Sequence, residues 1–578
     1  MASISHPSFS SLNLSISLHP FPFVFPLLPC FMHHLKNHAN LANLKGMTVF
    51  SKLHAMEGRS DWDWRLCGAT TLSSNNHSAF AAPVITPELN SCVPPAIPDP
   101  CYNCCPPSPT SPTSPVIDFK FPTNNTLLRV RQPAHSVSYK YLDKYKEAVS
   151  LMKALPPDDP RNFTQQANVH CAYCDGGYSQ NGFPNCELQV HASWLFFPFH
   201  RLYLYFYERI LGSLIGDPTF ALPFWNWDNP PGMEIPQFYT DQSSPLYDPL
   251  RDACHQPPVI VDLNYNNDQL GTDPKQQIET NLCTMYRQVV SQGKLPSLFL
   301  GKAYRAGYPP NPGKGSLENA PHNTVHAWTG SELSVDMGEL YSAARDPIFF
   351  AHHSNVDRMW NIWKTDITGG RRKDFTDHDW LDSSFLFYNE NKKLVRVKVR
   401  DSLDSRKLGY DYQCVDIPWL NSKPTSKYPR PVPRQAPNIL SFPLTLINIS
   451  RTSVKRPKHE LGSDEEKEEV LVIDIEYDKT KGIKFDVFIN DQGDDQIQPT
   501  DSEFGGSFVN LPHSHLHRDE NYKRTNTSFR LGITDLLEEF KVKDDDSIAV
   551  TLVPRYGEKP VIIKGIKIKL VSLDNETI

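Results

Sequence analysis

The residues of this chain best able to do chemistry are histidines at two sets of spacings. His170 opens HCAYCDGGY, and His191 and His200 follow in HASWLFFPFHRLYLYFYER. Three imidazoles within about thirty residues can supply three nitrogen ligands, and imidazole suits copper, zinc, iron and nickel. Nine residues separate His191 from His200, about 900° of helix, which would set them on opposite faces. Pro198 removes the conflict. Proline is accommodated in a first helical turn, so a helix beginning near Pro198 carries His200 while His191 comes from the segment before it. The run from Trp194 to Ile210 is aromatic and apolar and reads as a buried helix, where a histidine is costly unless partnered. Taken alone, such a window is more often core with a stray histidine than a metal site.

The second window contains ENAPHNTVHAWTG, with His322 and His326, and then DPIFFAHHSNVDRMW, with His352 and His353. The i, i+4 spacing puts His322 and His326 on one helical face, where they can share a metal. No Glu stands between them, which excludes the HExxH pattern of zinc proteases. Asp357 and Arg358 beside the adjacent histidines are expected to form a structural ion pair. Two windows, with neither cysteine nor carboxylate at the HxxxH spacing, point to two matched all-nitrogen sites. Neutral imidazoles stabilise a metal cycling between Cu(I) and Cu(II), whereas zinc usually recruits Asp, Glu or Cys. From the residues alone the reading is a paired copper site.

The elements that must position these residues follow from the rest of the chain. At about 100–200 residues per domain, 578 residues make two or three. A net charge of -7 argues against nucleic acid as a partner, and no apolar run approaches the ~18 residues of a membrane span. Residues 1–82 are rich in Ser, Asn and His, with Glu57 the first acidic residue, which is the pattern of an organelle transit peptide; Ala79-Phe80-Ala81 fits its cleavage site. Cys92, Cys101, Cys104 and Cys105 stand in Pro-rich sequence with little apolar material, so disulfide stapling in an oxidising compartment is expected. Residues 418–443 are Pro-rich and basic and read as an exposed linker open to nicking. Beyond it, Leu471, Ile473, Ile475 and Tyr477 alternate with other residues, as do Ile483, Phe485, Val487 and Ile489. The DKTKG between them suggests a hairpin, and Ile566, Ile568 and Leu570 alternate with lysines. Residues 444–578 therefore read as an all-β, sandwich-like domain.

Taken in order, HCAYC, HxSWLFFPFHR, FWNWDNPPGM, ENAPHNTVHAWTG, DPIFFAHHSNVDRMW, Asp379-Trp380-Leu381, Tyr410-Asp411-Tyr412, KFDVFIN and EFGGSFVNLPHSH resemble the plant polyphenol oxidase family of catechol oxidases and tyrosinases, from about Ala82 to the C-terminus. The resemblance implies a mainly α catalytic domain, residues 83–417, whose four-helix bundle holds two copper ions. One copper would bind His170, His191 and His200. The other would bind His322, His326 and His353, with His352 a neighbour. It implies a thioether joining Cys174 to His191. It implies disulfides at Cys104 and Cys105, one to Cys171 and the other to Cys92 or Cys101. The implied reaction is oxidation of o-diphenols to o-quinones with O2 reduced to water, the partners being a small phenol and O2. Glu318 and Asn323 would hold a water that accepts a phenol proton, the combination expected where monophenols are also hydroxylated; the plainer reading is that Glu318 caps the helix of His322. Leu340 occupies the position where the family often places a phenylalanine over the site, and should narrow the entrance less. The C-terminal domain would cover the site and keep the enzyme latent, or else merely stabilise it. The resemblance implies a plastid, in particular the thylakoid lumen, with the vacuole as alternative; Arg59 and Arg65 stand isolated where lumen-bound members carry an Arg pair. Two other readings stand beside this one: a specialised biosynthetic phenol hydroxylase or oxidase, and an O2-binding dicopper protein without turnover.

Overall fold

Ser138 and Asn162 mark the start of the helical part. The Ser138 side chain accepts the Tyr141 amide ahead of α1 (Tyr139–Ala154), and that of Asn162 accepts the Thr164 amide ahead of α2 (Phe163–Cys174). Each satisfies an amide that a first turn leaves free. α3 (Phe196–Leu214) has Pro198 in its first turn, and α4 (Asn323–Thr329) and α5 (Ile348–Thr365) complete the set that carries the histidines. This computed structural model describes residues 82–93, 104–107, 115–122, 127–267, 272–330, 335–426, 438–458, 466–491, 497–513, 523–540, 545–557 and 560–572. The segment expected to act in targeting lies outside the described residues up to Ala81, as does Cys101.

Helices α2, α3, α4 and α5 form the expected four-helix core. Around them Trp194, Trp225, Trp227, Trp328, Trp360 and Trp363 are fully buried. α3 is buried on nearly every side, which is why its sequence is apolar all round rather than amphipathic. Disulfides join Cys92 to Cys105 and Cys104 to Cys171, tying the Pro-rich segment to α2. Among the described residues no helix is long and apolar enough to cross a membrane.

A buried charge network clamps α3 to α5. Asp357 of α5 accepts from Arg201 of α3 at 2.5 Å, from Arg131 at 3.2 Å and from the Tyr410 hydroxyl at 2.6 Å, while Arg131 also pairs with Glu208 of α3 at 2.8 Å. The expected pairing of Asp357 with Arg358 is therefore not made. Neighbours in sequence on a helix point to different sides, and Arg358 turns instead to Asp228 at 3.0 Å.

Among the described residues the C-terminal part has eight strands: β1 (Leu444–Leu446), β2 (Ser450–Lys455), β3 (Lys467–Asp478), β4 (Ile483–Ile489), β5 (Phe504–Asn510), β6 (Arg524–Gly532), β7 (Ser547–Gly557) and β8 (Val561–Ser572). They form two four-stranded sheets, β6-β3-β8-β1 and β5-β4-β7-β2. The sandwich is as expected, but β3 and β4 are not a hairpin. DKTKG carries the chain from one sheet to the other, so the alternating residues of both strands meet face to face in the inter-sheet core. β3 and β4 have their ladder partners in other strands. The stretch expected as exposed linker begins as packed structure: Trp419 is fully buried and its indole donates to Asp228. Residues 427–437 lie outside the described residues. The sandwich docks on the helical part through Val470 and Val472 of β3 against Leu295 and Leu298, and β5 and β4 of the other sheet are buried on both faces, with Lys484 donating to the Asn264 carbonyl at 2.6 Å and Ser507 to Asn264 Oδ1 at 2.9 Å.

Candidate metal centre

His170 projects from α2, His200 from α3 and His191 from the buried segment before α3. Together with Cys174 their ligand atoms lie within 4.8 Å of one another, and those of His322, His326, His352 and His353 form a second group within the same limit. The groups adjoin: the His200 and His353 rings stack with centroids 4.3 Å apart, and His191 and His322 lie at 5.9 Å. His322 and His326 do share a face, at 4.7 Å between centroids, although not on one unbroken helix. Ala320 (φ -145°, ψ 132°) kinks the chain just before α4, as Pro321 requires of the residue ahead of it.

Hydrogen bonds fix which nitrogens face inward. Nδ1 of His170 donates to the Leu340 carbonyl (3.0 Å), that of His200 to Phe196 (2.8 Å) and that of His326 to Met337 (2.8 Å). His322 Nδ1 lies 3.0 Å from Asn323 Oδ1 and 3.3 Å from the Glu318 carbonyl. A neutral imidazole donating through Nδ1 keeps a lone pair on Nε2, and Nε2 of His170, His200 and His322 has no partner among the described residues. Nε2 of His326 faces Nε2 of His353 at 3.2 Å. Burial lowers His200 to about 3 and His326 to about 4. Burial and then the charges of neighbouring imidazoles hold His170, His191, His322 and His353 well below the ordinary range. Neutral lone pairs converging in dry space without protons to share are the donor set that suits copper. His352 differs: its Nδ1 accepts from the Trp227 indole at 3.1 Å, which places its proton on Nε2.

Around this centre, Glu318 is buried. Its Oε1 accepts the Ala192 amide at 2.6 Å, so it holds the His191 segment, and the Gly315 amide, at the start of the helical turn that leads to His322, also bonds the carboxylate, as a helix cap would. Ala192 sits at φ 53°, a left-handed turn that aims His191 at the core. His191 has neither ring nitrogen hydrogen-bonded. Cys174 is fully buried, and burial raises its thiol. Leu340 is buried in the main core, and its backbone links His170 to the sandwich.

That link belongs to a segment the residue-by-residue reading did not single out. The Val509 carbonyl accepts from Asn323 Nδ2 (3.0 Å) and Lys314 Nζ (2.6 Å), and its amide donates to Asn319 Oδ1 (3.3 Å). Pro512 accepts the Leu340 amide at 3.4 Å. Between them Leu511 is buried within the helical core. EFGGSFVNLPHSH contains this segment, but nothing in its composition says where it docks.

Residues 160–366 match the common central domain of tyrosinase, 374–425 the polyphenol oxidase middle domain and 442–570 the chloroplastic polyphenol oxidase C-terminal domain. The chain is 54% identical over 527 residues to the chloroplastic polyphenol oxidase of Malus domestica, covering 86% of each. It superposes on latent apple tyrosinase with a TM-score of 0.74 and 56% identity, over 79% of this chain and 100% of that one. For recombinant latent aurone synthase the values are 0.78, 41%, 86% and 100%. The chain belongs to the plant polyphenol oxidase family, tyrosinase-type oxidoreductases that work with two copper ions.

Proposed function

We propose that this enzyme oxidises o-diphenols to o-quinones, hydroxylates some monophenols, and is held latent by its own C-terminal sandwich in a plastid. One copper is assigned to His170, His191 and His200, the other to His322, His326 and His353. His353 rather than His352 is chosen because the Trp227 indole leaves His352 without an Nε2 lone pair. When bound, the copper pair supplies the electron exchange that couples catechol oxidation to the reduction of O2 to water.

The chain's own residues set the conditions. Backbone carbonyls hold four imidazoles by Nδ1, which pre-orients Nε2. His191 has no such bond, and a thioether to Cys174 would fix it instead. Glu318 and Asn323 flank His322 and would hold the water that takes the phenol proton. Supporting latency is one observation: Leu511 of the sandwich is buried in the helical core between the anchors at Asn323 and Leu340. The plastid location is supported by the printed names of relatives such as the chloroplastic enzyme of Malus domestica; the thylakoid lumen is proposed as the compartment. A specialised biosynthetic oxidase is the second reading, favoured by the likeness to aurone synthase and by Leu340.

The test is O2 uptake by the copper-loaded full chain before and after cleavage at a single protease site introduced within residues 427–437, first with 4-methylcatechol and then with tyramine. Catechol oxidation that rises on cutting is expected, with slower tyramine turnover. Reversible O2 binding without turnover of either would leave a carrier rather than an oxidase.

A further inference from the structure

We infer that the groups gripping Val509 form a subsite for a carboxylate on the substrate's side arm, with Lys314 as its determinant. This rests on the latency reading above and deepens it.

Beside Asn323 and Leu340 the sandwich presents an apolar group and a polar one at fixed separation. Leu511 takes the apolar position, buried in the helical core. Two residues earlier, the carbonyl of Val509 takes two donors, Lys314 Nζ at 2.6 Å and Asn323 Nδ2 at 3.0 Å. At the rise of an extended chain, that carbonyl and the Leu511 side chain are about 7 Å apart. A catechol ring bearing a carboxylate on a two- or three-carbon arm has a similar reach.

The donors suit an anion better than the neutral amide they hold in the latent chain. Lys314 is buried, and a charged donor gains more from an ionised acceptor. The carboxyl that attracts Lys314 is Glu318, yet the hydrogen bond of the ammonium goes to the Val509 carbonyl, and that bond becomes available to a ligand when the sandwich leaves. Asn319 and Asn323 come from the same turn as Glu318 and His322. A carboxylate held there would therefore lie beside the reacting ring, not remote from it. Neither the copper ligands nor Glu318 changes role in this proposal.

The experiment uses the full chain, copper-loaded and cut within residues 427–437. It compares 3-(3,4-dihydroxyphenyl)propanoate, its amide and 4-methylcatechol for wild type, Lys314→Met and Lys314→Arg. Lys314→Met is expected to raise KM for the acid about tenfold while changing kcat/KM for 4-methylcatechol by less than about twofold, with Lys314→Arg restoring most of the acid preference. Calorimetric binding of 3-phenylpropanoate, which carries no oxidisable hydroxyls, reads the subsite without turnover. Its affinity should fall by the same factor in Lys314→Met. Equal losses for the acid and 4-methylcatechol, unchanged 3-phenylpropanoate binding, or a wild-type preference for the amide over the acid would overturn the assignment. Wild-type protein that oxidises none of these catechols yet binds 3-phenylpropanoate through Lys314 would defeat the oxidase reading while sustaining the subsite.

Discussion

At the residue scale, the centre is decided by single hydrogen bonds. Four of the proposed ligands are held through Nδ1 by backbone carbonyls of Leu340, Phe196, Met337 and Glu318, acceptors that carry no sequence signature. His191 and His353 lack such a bond; of the two, His191 has neither ring nitrogen hydrogen-bonded among the described residues, and Cys174 lies in the same cluster. An unbonded ring in a metal site has rotational freedom that lowers affinity. The Cys174–His191 linkage is therefore expected to form in the mature enzyme, the thiol and ring C–H giving up two protons and two electrons to O2, making the intact chain lighter by two hydrogens in mass spectrometry. Cys174→Ala should lack that loss and bind its first copper roughly tenfold more weakly in a chelator titration. An unmodified mass for active wild-type enzyme would refute the linkage.

At the element scale, Asp357 joins α3 to α5 by charge, beside a direct aromatic contact in which the Tyr207 and Phe350 rings stack at 3.5 Å. Burial alone would raise the Asp357 carboxyl, but Arg201 and Arg131 outweigh it and hold the group below the usual carboxylate range. Its contribution to stability is then present above the unfolded value near 3.9 and lost as pH falls through the lower folded value. Asp357→Asn leaves two guanidiniums buried with a weaker partner and is expected to cost about 3–5 kcal/mol. A clearly lowered melting temperature at neutral pH, converging on wild type under strong acid, is the signature; equal melting curves at neutral pH would show that the clamp is not energetically important. The DKTKG connection belongs to the same scale. The period-two pattern of β3 and β4 was legible, because each buries one row of side chains against the other sheet. Their pairing was not, because alternation marks a buried face and is silent on which strand lies alongside.

At the scale of the whole molecule, the sandwich is tied to the helical part both beside the centre, through Val509, Leu511 and Pro512, and away from it, through Lys479 with Glu187, Lys294 with Glu468 and Arg287 with the Asp501 carbonyl. Leu511→Ala should remove about 2–5 kcal/mol from the closed state and raise the activity of the uncut chain at least tenfold, with little change after cleavage. Equal latency in this variant would remove Leu511 from the plug. His513 offers a pH handle. It lies 3.8 Å from Asp175 and 3.4 Å from Gln189, with Lys479, Glu187 and Lys314 around it, and burial foremost, then the lysines, lower it to about 3. Undocked, it would titrate near the ordinary 6.5. Its contribution to docking is thus intact above about pH 6.5 and declines as pH drops towards 3. Glu468 acts in the opposite sense, since burial raises its carboxyl to about 7 and protonation then favours the docked form. The comparison that isolates His513 is the gain in O2 uptake of the uncut chain between about pH 7 and about pH 5, which His513→Gln should reduce.

The sequence by itself determined the chemistry and the classes of structure. The histidine spacings, the absence of competing carboxylates, Pro198 as a helix start and the alternating C-terminal strands all reflect local geometry, which a chain records directly. Tertiary structure decided what depends on residues far apart. Asp357 reaches Arg201 and Arg131 rather than Arg358, Trp227 sets the proton on His352, the disulfide partner of Cys105 is Cys92, and Leu511 enters a core to which it is not contiguous. These pairings arise when buried polar and apolar groups must find partners across the fold, and no spacing along the chain encodes which distant partner will be there.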